Sequence, residues 1–154
     1  MTTEPSPHAR SLLADAVIDH VGIAVADLEA AIDFHVRVLG GRLVHREENA
    51  EQGVVEAMIA FDAAGDGSTR IQLLAPLTPE STIATFLDRR GPGLQQLALR
   101  VPDLDAAVTT LRAAGLRLLY DTPRRGTAGS RINFVHPRDA GGVLLELVEP
   151  ASSP

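Results

Sequence analysis

The chain repeats itself. Ile18-Asp19-His20-Val21-Gly22-Ile23-Ala24-Val25-Ala26-Asp27-Leu28-Glu29 reads as a short apolar strand running into a capped helix. Leu94-Gln95-Gln96-Leu97-Ala98-Leu99-Arg100-Val101-Pro102-Asp103-Leu104-Asp105 has the same order of apolar run, turn, Asp, Leu and acidic residue. The closing segments match as well, Ile71-Gln72-Leu73-Leu74-Ala75-Pro76 with Leu145-Glu146-Leu147-Val148-Glu149-Pro150. A duplication of this size means two like units that stack and share a buried surface.

The elements follow the repeat. Val17 to Val25 predicts a strand, and Asp27 caps a helix whose apolar positions Leu28, Ala31 and Ile32 keep helical spacing until Gly40-Gly41. Alternation then predicts strands over Arg42 to Glu47, Val54 to Phe61 and Thr69 to Leu74, with a turn over Ala63 to Ser68. Pro79 to Arg90 is a linker with one short helix. The second unit predicts a strand from Leu94 to Val101, a helix capped by Asp103, and strands over Arg117 to Tyr120, Arg131 to His136 and Val143 to Val148. The fold class is α+β, with β-α-β-β-β modules over residues 17–76 and 94–150 in a single domain, behind a flexible tail over 1–16.

Composition limits the function classes. With 45% hydrophobic residues the chain has the apolar content for a core, and 154 residues suit one globular unit. No cysteine is present, so a metal would be held by His and by carboxyl or amide oxygens. A net charge of -6 argues against a general nucleic-acid binder. The first sixteen residues offer only Ser11-Leu12-Leu13-Ala14 as an apolar run, too short for a signal peptide or membrane span, and cytoplasm is the expected compartment.

The duplication pairs polar residues in apolar settings. His20 falls on Gln96, and Gln72 falls on Glu146. Each module thus carries one polar side chain in its first strand and one in its last. Singly, each has an ordinary alternative as a hydrogen-bonded core residue or a solvent-facing strand position. Together, two modules about a pseudo-twofold axis would bring the four onto one cation, which offsets the cost of burying them. Glu56, in Val-Val-Glu-Ala-Met, fits an exposed strand position as well as a site.

At this level of detail the chain resembles the vicinal oxygen chelate superfamily, and within it the methylmalonyl-CoA epimerases. The residues that carry the likeness are Asp19 to Val25, Glu51-Gln52-Gly53-Val54-Val55-Glu56, Gln72 to Pro76 and Ser81-Thr82-Ile83-Ala84 with Phe86-Leu87. Gly126-Thr127-Ala128-Gly129-Ser130-Arg131-Ile132-Asn133-Phe134, His136-Pro137-Arg138 and Gly141 to Leu147 complete it. The resemblance spans residues 17 to 150. It implies a glyoxalase-like fold, in which tandem βαβββ modules form a curved mixed sheet around a central cleft. It further implies a divalent metal, cobalt first and manganese, nickel or zinc next, on His20, Gln72, Gln96 and Glu146. One departure is that Gln95-Gln96 stands where the family pattern has His-His.

The implied activity is metal-dependent epimerisation of an acyl-CoA by 1,1-proton transfer, with Glu56 and Glu146 as the proton-transfer pair. Ser130 and Arg131, beside a glycine-containing loop, are expected to hold the substrate carboxylate or a coenzyme A phosphate. The resemblance also implies a homodimer, with no nucleic-acid or membrane partner. Two rivals share the fold: a glyoxalase-type isomerase acting on a glutathione hemithioacetal, and a metal-free antibiotic-binding protein of the bleomycin-resistance type. Aromatic residues at 3% count against the stacking groove of the second.

Overall fold

A computed structural model describes residues 11–61 and 69–152. Residues 1–10 of the expected tail and the whole of the expected turn over Ala63 to Ser68 lie outside the described residues. The elements are β1 (Val17–Ala24), α1 (Leu28–Asp33), β2 (Arg42–Asn49), β3 (Val54–Ala60), β4 (Arg70–Pro76) and α2 (Thr82–Arg90). Then follow β5 (Gly93–Arg100), α3 (Leu104–Ala113), β6 (Arg124–Arg125), β7 (Arg131–Val135) and β8 (Leu145–Glu149).

All eight strands form one sheet in the order β2-β3-β4-β1-β5-β8-β7-β6. The duplication is visible in that order. β1 runs parallel to β4 as β5 does to β8, and the two halves join through the antiparallel pair β1 and β5. A pseudo-twofold axis therefore passes between β1 and β5, and the sheet curls around it as a half-barrel.

Strand alternation sorts the side chains between two faces. On the outer face, Ala57, Ile59, Leu73 and Ala75 pack against Leu28 of α1. In the second module Val135 and Leu147 pack against Leu104, Ala107, Val108 and Leu111 of α3, and Leu13 and Ala16 lie on the same cluster. These helices form because Asp27 and Asp103 accept the amide protons of Ala30 and Ala106, and apolar residues then recur on one face. Burying a Leu such as Leu104 contributes about 1.5–3 kcal/mol. The residues one step along each strand, Glu56, Gln72 and Glu146, are left facing inward, and α2 covers part of that face through Ile83.

Three expectations change. Arg117 to Tyr120 is not a full strand: Leu119 N donates to Phe134 O and His136 N to Arg117 O, but the ladder holds only the Leu118–Val135 bridge. The strand at this edge is instead Arg124–Arg125, inside the expected loop. The last strand begins at Leu145, two residues later than expected. The first helix also changes pitch, becoming a π-helical turn over Phe34–Val38 in which the His35 ring reaches the Ala31 carbonyl. Among the described residues no helix is long and apolar enough to cross a membrane.

Candidate active site

The axis between β1 and β5 brings His20, Gln72, Gln96 and Glu146 together, one from each of four adjacent strands. Two β-bulges shape the meeting point. In β1, Ile18 pairs with Leu99 and His20 with Ala98, leaving Asp19 extra; in β5, Gln96 pairs with Gly22 and Leu94 with Ile23, leaving Gln95 extra. A bulge re-aims side chains next to it. Asp19 is thereby carried to the His20 ring, Oδ2 to Nδ1 at 2.7 Å, and Gln95 is turned toward the same cleft as Gln96. Gly22 makes the room: a Cβ there would stand 2.4 Å from Gln96 Cγ.

Hydrogen bonds tie the four residues to Glu56. Gln96 Nε2 donates to Glu146 Oε2 at 2.5 Å and to Gln72 Oε1 at 3.1 Å. Gln72 Nε2 donates to Glu56 Oε2 and to Thr127 Oγ1, both at 2.8 Å, and the Thr127 hydroxyl donates to Glu56 Oε1 at 2.6 Å. Two amides thus link the two carboxylates across the pseudo-axis. His20, Glu56, Gln72 and Glu146 are all buried.

Burial decides the protonation of Glu56. It pushes the carboxyl up from 4.5 to about 7; the Thr127 hydroxyl works against this, and the negative charges of Glu47 and Glu146 assist it. His20 moves the other way from the usual buried imidazole. Burial disfavours its charge, but hydrogen bonds to Asp19 and Glu146 outweigh that and raise it to about 9.

Thr127 is the functional residue that motif reading missed. It reaches Glu56 because its loop is strapped onto the first module. Glu47 accepts from Ala128 N and pairs with Arg125 at 3.0 Å, and Asn49 donates to the Arg125 carbonyl. Ala128 is held at φ 53, a left-handed conformation that costs energy without glycine. Only the three-dimensional register relates 47 and 49 to 125–128, so no sequence spacing exposes it.

Among the described residues no group of three His, Cys, Asp or Glu side chains is placed to hold a metal ion, so the amides must contribute. The electropositive Gln96 Nε2 lies 2.5 Å from Glu146 Oε2, 3.1 Å from Gln72 Oε1 and 3.4 Å from His20 Nε2. Two acceptor oxygens and the His20 ring nitrogen, from three strands, therefore converge on one point, and with the His20 proton lost and the Gln96 amide turned to present its oxygen the set offers one nitrogen and three oxygens. That fits a cation of hard or borderline character. Asp19, at the far nitrogen of His20, fixes which ring nitrogen faces the centre.

A cleft of about 290 Å³ opens from these residues, walled by Leu74, Ile83, Phe134 and Leu144, with Tyr120 and Arg124 among its lining residues. The Arg124 guanidinium lies 4.0 Å over the Tyr120 ring. Of the two expected substrate holders, Ser130 is buried and lines a second cavity that also touches His20 and Glu146. Arg131 is elsewhere. It is bound to Asp105 at 2.9 Å and Glu149 at 3.1 Å and lines neither cavity, so the structure does not bring it to the site.

A curled sheet of two like modules, with a cation-compatible tetrad on their shared axis, defines the vicinal oxygen chelate class of enzymes. The family model for the Glyoxalase/Bleomycin resistance protein/Dioxygenase superfamily matches residues 19–134, and the chain belongs to that superfamily. Enzymes of this superfamily generally use a divalent metal. A crystal structure of methylmalonyl-CoA epimerase from Mycobacterium tuberculosis is 59% identical, superposes with a TM-score of 0.84, and is aligned over 94% of this chain and 97% of that one. The human mitochondrial methylmalonyl-CoA epimerase is 35% identical over 131 residues, 84% of this chain and 72% of the human protein. A variant of Streptomyces coelicolor methylmalonyl-CoA epimerase, in complex with 2-nitronate-propionyl-CoA, is 43% identical with a TM-score of 0.82, over 88% of this chain and 97% of that one.

Proposed function

We propose that this chain is a methylmalonyl-CoA epimerase, interconverting the (2R) and (2S) forms by 1,1-proton transfer. The observation that carries the reading is the pair Glu56 and Glu146, two buried carboxylates from different modules in one cleft, joined through Gln72 and Gln96. Epimerisation needs one group on each face of the reacting carbon. The kinship with the mycobacterial and human epimerases supports the same substrate.

The proton at C2 lies between a thioester carbonyl and a carboxylate. In one direction Glu146 takes it from one face, the electron pair of the C–H bond moves onto the thioester oxygen, and Glu56 returns a proton to the opposite face. The reverse direction exchanges the roles. A group raised to about 7 is present in both forms near neutrality, so Glu56 is suited to either role. Gln72 and Thr127 hold its two oxygens in place. His20, Gln72, Gln96 and Glu146 would hold a divalent cation, which would supply electrostatic stabilisation of the negative charge on the substrate oxygens.

Cobalt is the cation we assign, with manganese, nickel or zinc as substitutes, and a homodimer is the form; both rest on the resemblance. The test is solvent deuterium incorporation at C2 of methylmalonyl-CoA. Absence of exchange with metal-replete protein rejects the reading, and turnover of a glutathione hemithioacetal in its place favours the isomerase.

A further inference from the structure

The sheet ends in β2 on one side and β6 on the other, and among the described residues no ladder joins the two edges. Side chains join them instead. Glu47 and Asn49, two apart on β2, both reach the segment from Arg125 to Ala128. The half-barrel is thereby closed into a ring, with its seam beside Thr127.

Glu47 carries most of that seam. Its Oε1 accepts from Ala128 N at 2.5 Å and pairs with His45 Nε2 at 3.0 Å, while its Oε2 takes Arg125 at 3.0 Å. Both carboxylate oxygens are engaged, and the side chain is only 14% exposed, where an ion pair is less screened than on the open surface. Yet Glu47 lines neither cavity, so it does not meet the substrate.

Its place in the sheet shows what it can act on. Glu47 stands directly opposite Glu56 in the β2–β3 register. From there it holds Ala128 N; the preceding residue is Thr127, and the Thr127 hydroxyl returns to Glu56 Oε1 at 2.6 Å. This is a short closed circuit. Without it, β3 and β6 are related only through β4, β1, β5, β8 and β7, and a small change of curl at each pairing would add up along that path. A hydrogen bond to a proton-transfer group does not survive a displacement of about 1 Å. Ala128 also keeps a left-handed φ of 53, which a residue with a Cβ holds only where its surroundings impose it.

We propose that Glu47 is a positioning residue for the proton transfer: opposite Glu56 in the register, it fixes the strap at Ala128 so that the Thr127 hydroxyl meets Glu56. The inference rests on the epimerase reading above and adds a residue outside the substrate's reach to the machinery of that reaction.

The experiment is a double-mutant cycle on deuterium exchange into methylmalonyl-CoA, with wild type, Glu47→Ala, Thr127→Ala and the double variant. kcat is taken on the plateau of each pH profile, so that altered ionisation does not enter. Glu47→Ala is expected to lower kcat about tenfold with KM within about twofold, because only the placement of the proton-transfer group changes. In the Thr127→Ala background the same substitution should cost less than about twofold, since the two residues act through one bond. Equal costs in the two backgrounds, or no loss in the first, overturn the proposal. Glu47→Gln keeps an oxygen for Ala128 N and should stay within about threefold of the wild type; a loss as large as that of alanine also overturns it. Where the alanine variant does not fold, Glu47→Met, which keeps the length and removes both bonds, runs the same cycle. If the wild type itself exchanges no deuterium, the epimerase reading fails and takes this one with it.

Discussion

The Thr127 hydroxyl, from the second module, donates to Glu56 Oε1 of the first at 2.6 Å. That bond favours the ionised carboxylate and opposes the effect of burial. Thr127→Ala is therefore expected to raise the Glu56 pKa further, moving the corresponding limb of the pH–rate profile to higher pH, while Thr127→Ser restores it. A profile that does not move in the alanine variant removes Thr127 from the positioning of Glu56.

Glu56→Gln is expected to lower exchange about 10²–10⁴-fold. It also changes stability in a definite direction. Because the folded pKa is raised from 4.5 to about 7, the native protein holds the proton more tightly than the unfolded chain. The resulting contribution is fully present below 4.5 and is lost as pH rises through about 7. In metal-free protein, denaturant midpoints at about pH 4 and about pH 8 should differ less in the glutamine variant than in the wild type.

Gly22→Ala tests the space beneath Gln96. The added Cβ would lie 2.4 Å from Gln96 Cγ, too close to keep. We expect a loss of about 1–3 kcal/mol and reduced metal content in the same protein, since the tetrad must shift. Thermal melts and metal analysis read the two effects, and wild-type values of both would show that the β1–β5 contact is freely adjustable.

Metal binding should release a proton. With His20 raised to about 9 in the metal-free protein, a cation at neutral pH displaces the proton from the ring, so affinity rises with pH up to about 9. Calorimetry in buffers of different ionisation enthalpy counts the proton. Metal content unchanged in both Glu146→Ala and Gln96→Ala would reject the tetrad.

The sequence made the frame of the site legible because the duplication is a statement about symmetry: residues matched between copies must meet at the axis the copies share. His20, Gln72, Gln96 and Glu146 do meet there. Glu56 could be assigned only by resemblance, because its inward direction depends on the β3–β4 register, in which it pairs with Leu74. Arg131 was misleading for a related reason. Its place beside a glycine-containing loop suggested anion binding, whereas Asp105 and Glu149, remote in sequence, already pair with it. Asp19 and Gln95 owe their directions to bulges, and a bulge follows from how two strands pair, which neither strand encodes alone.

The strap from Arg125 to Ala128 also bears on how the molecule keeps to itself. The sheet ends in β6, two residues long, and in β2, whose Glu47 is engaged with Arg125 and Ala128. Arg42, Arg46 and Glu48 add further charge along β2. Open strand edges invite other chains to add on, and short or charged edges resist it. Fastening Thr127 to Glu56 and defending the sheet against aggregation thus both draw on Glu47, through its bonds to Arg125 and Ala128, and a variant that releases Glu47 weakens both at once.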